Sequence, residues 1–226
     1  MSRARLLCVM VATVLICGCS KNEVAKPEPS TVGTGGAGAD VKSDDDFIKD
    51  VAAKNMAEIE LSRMALTKTT NANIKIFAQQ LIDDHGAAAE KLKSVVAAHS
   101  IAWPNQLDDK HRETANELAK KQGVDFEREY LKAMIEGHQD LAAKLESRLD
   151  VQSLAAWKTA AAGRTQSQAL PQPNADMRDV AVRPNQGGSE ITTKINQWAA
   201  DTYPVTHKHL DNARALENEV KKGSTD

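Results

Sequence analysis

This chain of 226 residues has few aromatic residues, almost no excess of positive or negative charge, and few long apolar runs. Aromatic residues make up only 4% of it, which argues against a β-sandwich or barrel, because strands favour β-branched and aromatic side chains. The formal net charge is -2, whereas a nucleic-acid-binding protein normally presents a basic face. The composition is instead rich in alanine and other residues that favour helices. It therefore predicts an all-α protein that does not bind nucleic acid.

Cysteine is also scarce, and the three cysteines all lie within the first 19 residues. An apolar run over residues 6–16 follows a short basic start, and it is too short to span a bilayer but typical of a secretory signal. The next residues, Ile16-Cys17-Gly18-Cys19, resemble a bacterial lipobox, in which the last cysteine is acylated. We therefore predict a lipoprotein signal peptide over residues 1–18 and lipidation at Cys19. The alternative is an ordinary cleaved signal with incidental cysteines.

The residues after Cys19 predict how the protein is attached and where. Acyl chains on this cysteine would hold the protein at a membrane surface without a spanning helix. Ser20 follows it, and in the lipoproteins that this chain resembles, a residue other than Asp there favours the outer membrane. Residues 20–43 contain Gly-rich and Pro-containing stretches that behave as flexible spacers. The predicted location is thus the periplasmic side of the outer membrane, with residues 19–43 as the lipidated tether.

Residues 44–222 carry the pattern of a helical bundle. Apolar residues recur with a period near 3.6 in four long segments, at about 45–69, 71–99, 124–150 and 189–221. A shorter helix is predicted at about 107–121, and Pro204 is expected to kink the last helix. The acids Asp44-Asp45-Asp46 are predicted to cap the first helix. Four long amphipathic helices joined by breakers predict a four-helix bundle with one short extra helix.

A long insertion is predicted before the last helix, over residues 151–188. Residues 155–162 are compatible with an extension of the preceding helix or with a short separate helix. Residues 164–188 are rich in Gln, Asn, Pro and Gly and have little periodicity, so they are predicted to be irregular.

Three histidines, His85, His138 and His209, lie on the apolar faces of three different long helices. Each lies four positions after an apolar residue, so each is predicted to point into the bundle. At these depths an up-down bundle can bring the three rings together. Neutral imidazole is the commonest nitrogen ligand of Zn, Cu and Fe, so the three histidines predict a transition-metal site.

The first helix can supply a carboxylate to this site. Glu58 and Glu60 flank Ile59, which belongs to the predicted buried stripe, and the spacing alone does not choose between them. Asp84 and Glu136, each close in sequence to one of the histidines, are candidate hydrogen-bond partners that would orient the rings. The alternative is that the histidines are core residues bonded to a carbonyl, a water or an acid from a neighbouring helix.

The motifs of most enzyme classes are absent from the sequence. It has no Gly-rich phosphate loop, no CxxC, no HExxH and no nucleophile elbow. The Glu-x-x-His pairs of di-iron bundles are missing too, which argues against a ferritin-type ferroxidase. His207 faces away from the stripe of His209 and is predicted to be solvated, and the tryptophans are interpreted as packing or interface residues. An oxidoreductase that uses a bound metal is a third candidate, but it lacks the expected carboxylates.

Several stretches together resemble a known family: Asn55-Met56-Ala57-Glu58-Ile59-Glu60-Leu61-Ser62, Ile74-Lys75-Ile76-Phe77-Ala78, Leu81-Ile82-Asp83-Asp84-His85, Asp125-Phe126-Glu127-Arg128-Glu129-Tyr130, Gly137-His138-Gln139 and the stretch from Tyr203-Pro204 to His209-Leu210. They are similar to the bacterial domain of unknown function 4142 family over about 45–150 and 190–220. That family is described as ferritin-like and exported, is often labelled as outer-membrane protein, and has no settled activity. The positions that match it include Glu58, Glu60, Asp84, His85, His138 and His209. The resemblance implies a ferritin-like bundle, while the insertion departs from the family's shorter connection.

The sequence thus predicts an envelope lipoprotein whose ferritin-like bundle binds, buffers or senses a transition metal (Zn, Fe or Cu). Its predicted partner is the membrane, through the lipid anchor. The alternative is a structural or stress-related envelope protein that acts through protein partners, with the histidines as polar core residues.

Overall fold

The computed structural model describes residues 36–97, 99, 101, 103–162 and 181–223. Within these residues the chain forms six helices, α1 (Gly36–Lys68), α2 (Ala72–Val96), α3 (Asp109–Ala119), α4 (Gly123–Glu146), α5 (Val151–Ala162) and α6 (Glu190–Gly223). None of the described helices combines the length and the apolar character needed to cross a membrane. The predicted signal peptide, Cys19 and the first part of the predicted tether lie outside the described residues.

The all-helical fold is confirmed, and α1, α2, α4 and α6 form the bundle: α1 and α6 each pack against both α2 and α4. Contacts along the helices give their directions. Asp44 pairs with Arg148 near one end of α1 and α4, and Ser62 bonds to Tyr130 further along, so these helices are antiparallel. A short loop joins α1 to α2, so these two helices are also antiparallel. The connection through α3 then returns the chain to the other end of the bundle, so α2 and α4 are parallel.

The start of α1 differs from the prediction. The helix begins at Gly36, whereas the sequence predicted a start near residue 45, so the acidic triplet lies within the helix. Asp44 is 3% exposed, accepts a hydrogen bond from Thr192 at 2.7 Å and pairs with Arg148. The prediction that Asp44 caps the helix is wrong, because its carboxylate instead joins α1 to α4 and α6.

Part of the segment between α4 and α6 is helical. Residues 151–162 form α5, a helix separate from α4, which is one of the two alternatives predicted for residues 155–162. The buried Trp157 anchors α5, with its ring centroid 5.0 Å from that of Tyr203 on α6. Residues 163–180 lie outside the described part of the chain. After them, Pro184 forms an isolated bridge with Leu149, and the chain then enters α6.

Two apolar clusters fill the bundle, one toward each end. The first contains Phe47, Leu92, Leu145 and Trp198, and the second contains Phe77, Leu81, Tyr130, Leu131 and Leu216. Between them lies a layer of buried polar side chains, which we call the polar layer: Asn55, Glu58, Ser62, His85, His138 and His209. The histidines predicted to face inward are therefore in the interior, and they lie together at mid-height of the bundle.

Candidate metal centre

Each of the four long helices contributes one ionisable side chain to the polar layer. These residues are Glu58 on α1, His85 on α2, His138 on α4 and His209 on α6, and each is at most 3% exposed. The three ring centroids are 5.2, 5.4 and 5.4 Å apart, close to an equilateral triangle. One nitrogen from each ring lies within 4.8 Å of the other two, a spacing at which the rings can share one metal ion.

A hydrogen-bond acceptor holds the outer nitrogen of every ring. Nδ1 of His85 lies 2.9 Å from Oδ1 of Asn55, and Nδ1 of His138 lies 2.8 Å from the carbonyl oxygen of Met134. Nε2 of His209 lies 2.8 Å from Oδ2 of Asp84. The Met134 carbonyl and the Asp84 carboxylate can only accept, so Nδ1 of His138 and Nε2 of His209 carry the ring proton. A ring protonated only on its outer nitrogen turns its other nitrogen, a possible metal ligand, toward the centre of the layer.

The inner nitrogens face one another and the Glu58 carboxylate. Nε2 of His85 and Nε2 of His138 are 3.3 Å apart, and the described residues offer no hydrogen-bond partner to Nδ1 of His209. Oε2 of Glu58 lies 2.8 Å from the inner Nε2 of His85, whereas Oε1 lies 3.3 Å from Nδ1 of His138, the outer nitrogen of that ring. A buried polar atom without a partner, such as Nδ1 of His209, is costly, and a cation at the centre would bind it together with the inner nitrogens of the other two rings and Oε2 of Glu58.

The electrostatics of the layer favour the forms that bind metal. Burial acts to raise the pKa of Glu58, but the positive charges that His138, His85 and His209 carry when protonated, together with a hydrogen bond from His85, outweigh it and lower that pKa to about 2. Burial lowers the pKa of His138 to about 4 and also lowers the pKa of His209. At neutral pH the layer thus combines a carboxylate with neutral rings on His138 and His209, which is the protonation state that metal binding requires.

The structure separates the two candidate carboxylates of α1. Glu58 is buried, whereas Glu60 is exposed and faces Arg63 at 3.6 Å, so Glu60 does not belong to the cluster. The buried stripe of α1 runs through the polar residues of the layer, and Ile59 is only partly buried. Residues two positions apart on a helix point about 200° apart, so only one of the two glutamates can face inward.

The two residues predicted to orient the rings also differ. Asp84 does hold a ring, but it is the ring of His209 on α6, not that of its sequence neighbour His85. The hydrogen bond from His209 is the largest influence on Asp84 and lowers the pKa of its carboxyl. Glu136 is exposed and lines a groove beside α3, away from the polar layer. Asp84 thus orients a ring of the cluster and Glu136 does not.

Sequence reasoning missed two members of the site and misplaced one histidine. Asn55 and the carbonyl of Met134 hold two of the rings. The signal for Asn55 in the sequence was its position three residues before Glu58, a spacing that places two side chains on the same face of a helix. The prediction that His207 is solvated is wrong, because its ring lies 4.7 Å from that of Trp157, centroid to centroid. Burial there lowers the pKa of His207.

The fold and the site together define a class: an all-helical bundle with a buried, histidine-rich polar layer supplied by four helices. Residues 30–169 match the family described as Domain of unknown function (DUF4142), and the chain belongs to that family. The match includes Glu58, His85 and His138, while His209 lies beyond it. No curated protein and no solved structure is significantly similar to the chain.

Proposed function

We propose that this protein binds one transition-metal ion through His85, His138, His209 and Glu58. The observation that carries the proposal is that one nitrogen from each of the three rings lies within 4.8 Å of the other two, next to the buried Glu58 carboxylate, and that Nδ1 of His209 has no hydrogen-bond partner among the described residues. Three imidazoles and one carboxylate suit Zn, Cu or Fe, whereas Mg and Ca prefer sites made of oxygen ligands. The outer hydrogen bonds support the same function, because they fix the orientation of every ring.

The arrangement favours binding or sensing of the ion over catalysis. All four donors are side chains of the protein and all are buried. Closed sites of this kind generally hold an ion, whereas catalytic sites keep a coordination position open for water or substrate. The polar layer also lacks the Glu-x-x-His pairs of di-iron bundles, because Ile82, Ile135 and Thr206 stand three positions before the histidines. We therefore propose metal buffering or sensing rather than oxidoreductase chemistry.

Glu58 and its neighbour Glu60 provide a matched test. We expect Glu58→Gln to weaken Zn²⁺ binding by at least about 100-fold, since even residues that only orient a ligand contribute about 10- to 100-fold. Glu60→Gln changes the same chemistry on the exposed face of α1 and is expected to bind Zn²⁺ like the wild type. The measurement is metal content after purification without chelator or His-tag, followed by titration with Zn²⁺, Cu²⁺ and Fe²⁺ against a competing chelator.

Two results would contradict the metal proposal. One is equal metal affinity in the Glu58→Gln and Glu60→Gln proteins. The other is a wild-type protein that is purified empty and takes up none of the three ions. The histidines would then be polar core residues, which would favour the structural, partner-binding alternative.

We also propose that Cys19 carries lipid and attaches the bundle to the periplasmic side of the outer membrane. The support is the N-terminal sequence: a short apolar run, Gly18 before the cysteine and Ser20 after it. We expect Cys19→Ser to abolish incorporation of labelled fatty acid and to lose outer-membrane attachment, whereas Cys17→Ser keeps both. Labelling that persists in Cys19→Ser, or recovery of the wild type in the soluble periplasmic fraction, would contradict this proposal.

A further inference from the structure

Two glycines lie inside helices directly beside histidines of the polar layer. Gly137 precedes His138 on α4, and Gly86 follows His85 on α2. Glycine is among the poorest helix formers, so its presence in a helix interior calls for a reason in the surroundings. The surroundings of these two glycines are different.

A side chain at Gly137 would collide with the Glu58 carboxylate. A Cβ atom built there lies 2.8 Å from Oε1 of Glu58 and 3.7 Å from its Cδ. At Gly86 a Cβ atom meets nothing within 4 Å in the described part of the chain. The backbone of α4 thus approaches α1 at the point where the carboxylate lies, and only the absence of a side chain at Gly137 leaves it that space.

We propose that Gly137 is a positioning residue of the metal site, because it keeps open the space from which Glu58 reaches the ion. The inference rests on the proposed metal binding and adds a residue that is not itself a ligand. The colliding atom is at the end of a flexible side chain, so an alanine at this position displaces the carboxylate rather than the helix. Gly137→Ala therefore removes one donor from the site while the bundle remains folded.

The displacement has a defined consequence for binding. Glu58 is 3% exposed and packed among the rings, with Oε2 2.8 Å from Nε2 of His85. A carboxylate pushed away from Gly137 takes Oε2 from its place beside Nε2 of His85, and the ion keeps only the three imidazoles. We expect Gly137→Ala to weaken Zn²⁺ binding by at least about tenfold, the lower end of what positioning residues contribute at metal sites.

The experiment compares the wild type with Gly137→Ala, Gly86→Ala, Glu58→Ala and the Gly137→Ala/Glu58→Ala double variant. Zn²⁺ affinity is measured by competition, the visible absorption of bound Co²⁺ reports the ligand set, and circular dichroism checks the fold. Gly86→Ala is expected to match the wild type in affinity and Co²⁺ spectrum, while Gly137→Ala is weakened and has an altered spectrum. In the Glu58→Ala background, Gly137→Ala is expected to have no further effect, because both changes act on the same carboxylate.

Two outcomes would overturn the role of Gly137 while leaving metal binding intact. One is wild-type affinity and an unchanged Co²⁺ spectrum in Gly137→Ala. The other is an equal loss of affinity in the presence and absence of the Glu58 side chain, since the glycine would then act through the helix. A wild-type protein that binds neither Zn²⁺ nor Co²⁺ would overturn the proposed function itself and the role of Gly137 with it.

Discussion

Zn²⁺ is expected to raise the unfolding temperature of the metal-free wild type by about 8 to 16 °C, and to leave that of the His85→Ala/His138→Ala/His209→Ala variant unchanged. The donors come from four helices and converge only in the folded bundle, so the ion stabilises the folded state alone. A ligand present at about 1,000 times its dissociation constant stabilises by about 4 kcal/mol. For a protein of this size, each kcal/mol corresponds to about 2–4 °C.

Differential scanning calorimetry of chelator-treated protein, with and without Zn²⁺, measures this effect. His209→Ala serves as a milder variant in case the triple variant folds poorly. His111→Ala is the control, because His111 pairs with Asp108 at the start of α3, away from the polar layer. An equal rise in the triple variant would move the binding site elsewhere, and no rise in the wild type would contradict binding to the folded state.

Arg148→Ala is expected to lower the free energy of unfolding by about 3–5 kcal/mol, the usual effect of removing one partner of a buried ion pair. The Arg148 guanidinium pairs with Asp44 and donates a hydrogen bond to the Ser43 carbonyl at 2.9 Å. Thr192 of α6 donates to the same aspartate. The substitution leaves the Asp44 carboxylate, which is 3% exposed, without its counter-charge in the interior.

Urea denaturation of the metal-free proteins measures the loss, and Arg183→Ala provides the matched control. Arg183 pairs with Asp150 at 3.0 Å, but its side chain is 63% exposed, so its removal should cost less than about 1 kcal/mol. The Asp44→Leu/Arg148→Met double variant removes both charges and should recover most of the stability. Equal losses in the two single arginine variants would contradict a special role for the buried pair.

Much of the fold could be predicted from the sequence because the long helices have apolar faces with a clear period. The three histidines could be placed in the interior for the same reason, since each lies among apolar residues of its own helix. Their position within one helix is enough to give the direction in which they point. What periodicity could not give was their partners, because these belong to other helices.

The choice between Glu58 and Glu60 shows where the pattern failed. The inward face of α1 is polar at Asn55, Glu58 and Ser62, so the apolar residues indicated the wrong centre for the buried stripe. Polar residues face inward here because side chains on other helices lie opposite them, as Tyr130 does for Ser62.

The axial alignment of the helices relative to one another is a second property that the sequence of a single helix does not predict. Asp84 was predicted to lie near the histidines, but its bond to His209 depends on how α2 and α6 align. The close approach of Gly137 to Glu58 depends in the same way on the alignment of α4 with α1. These contacts are set by the packing of the whole bundle.

The polar layer has a further consequence for the alignment of the helices along the bundle axis. In the apolar clusters, a helix that slides by one turn against its neighbours loses the fit of large side chains such as Phe47 and Trp198. The same slide would part His209 from Asp84 and bury the Glu58 carboxylate against apolar side chains, at a high cost in free energy. A buried polar group can in this way fix the register of packed helices, as a single asparagine does in coiled coils. The residues proposed to hold the ion therefore also select one axial alignment of the four helices, whether or not the ion is bound.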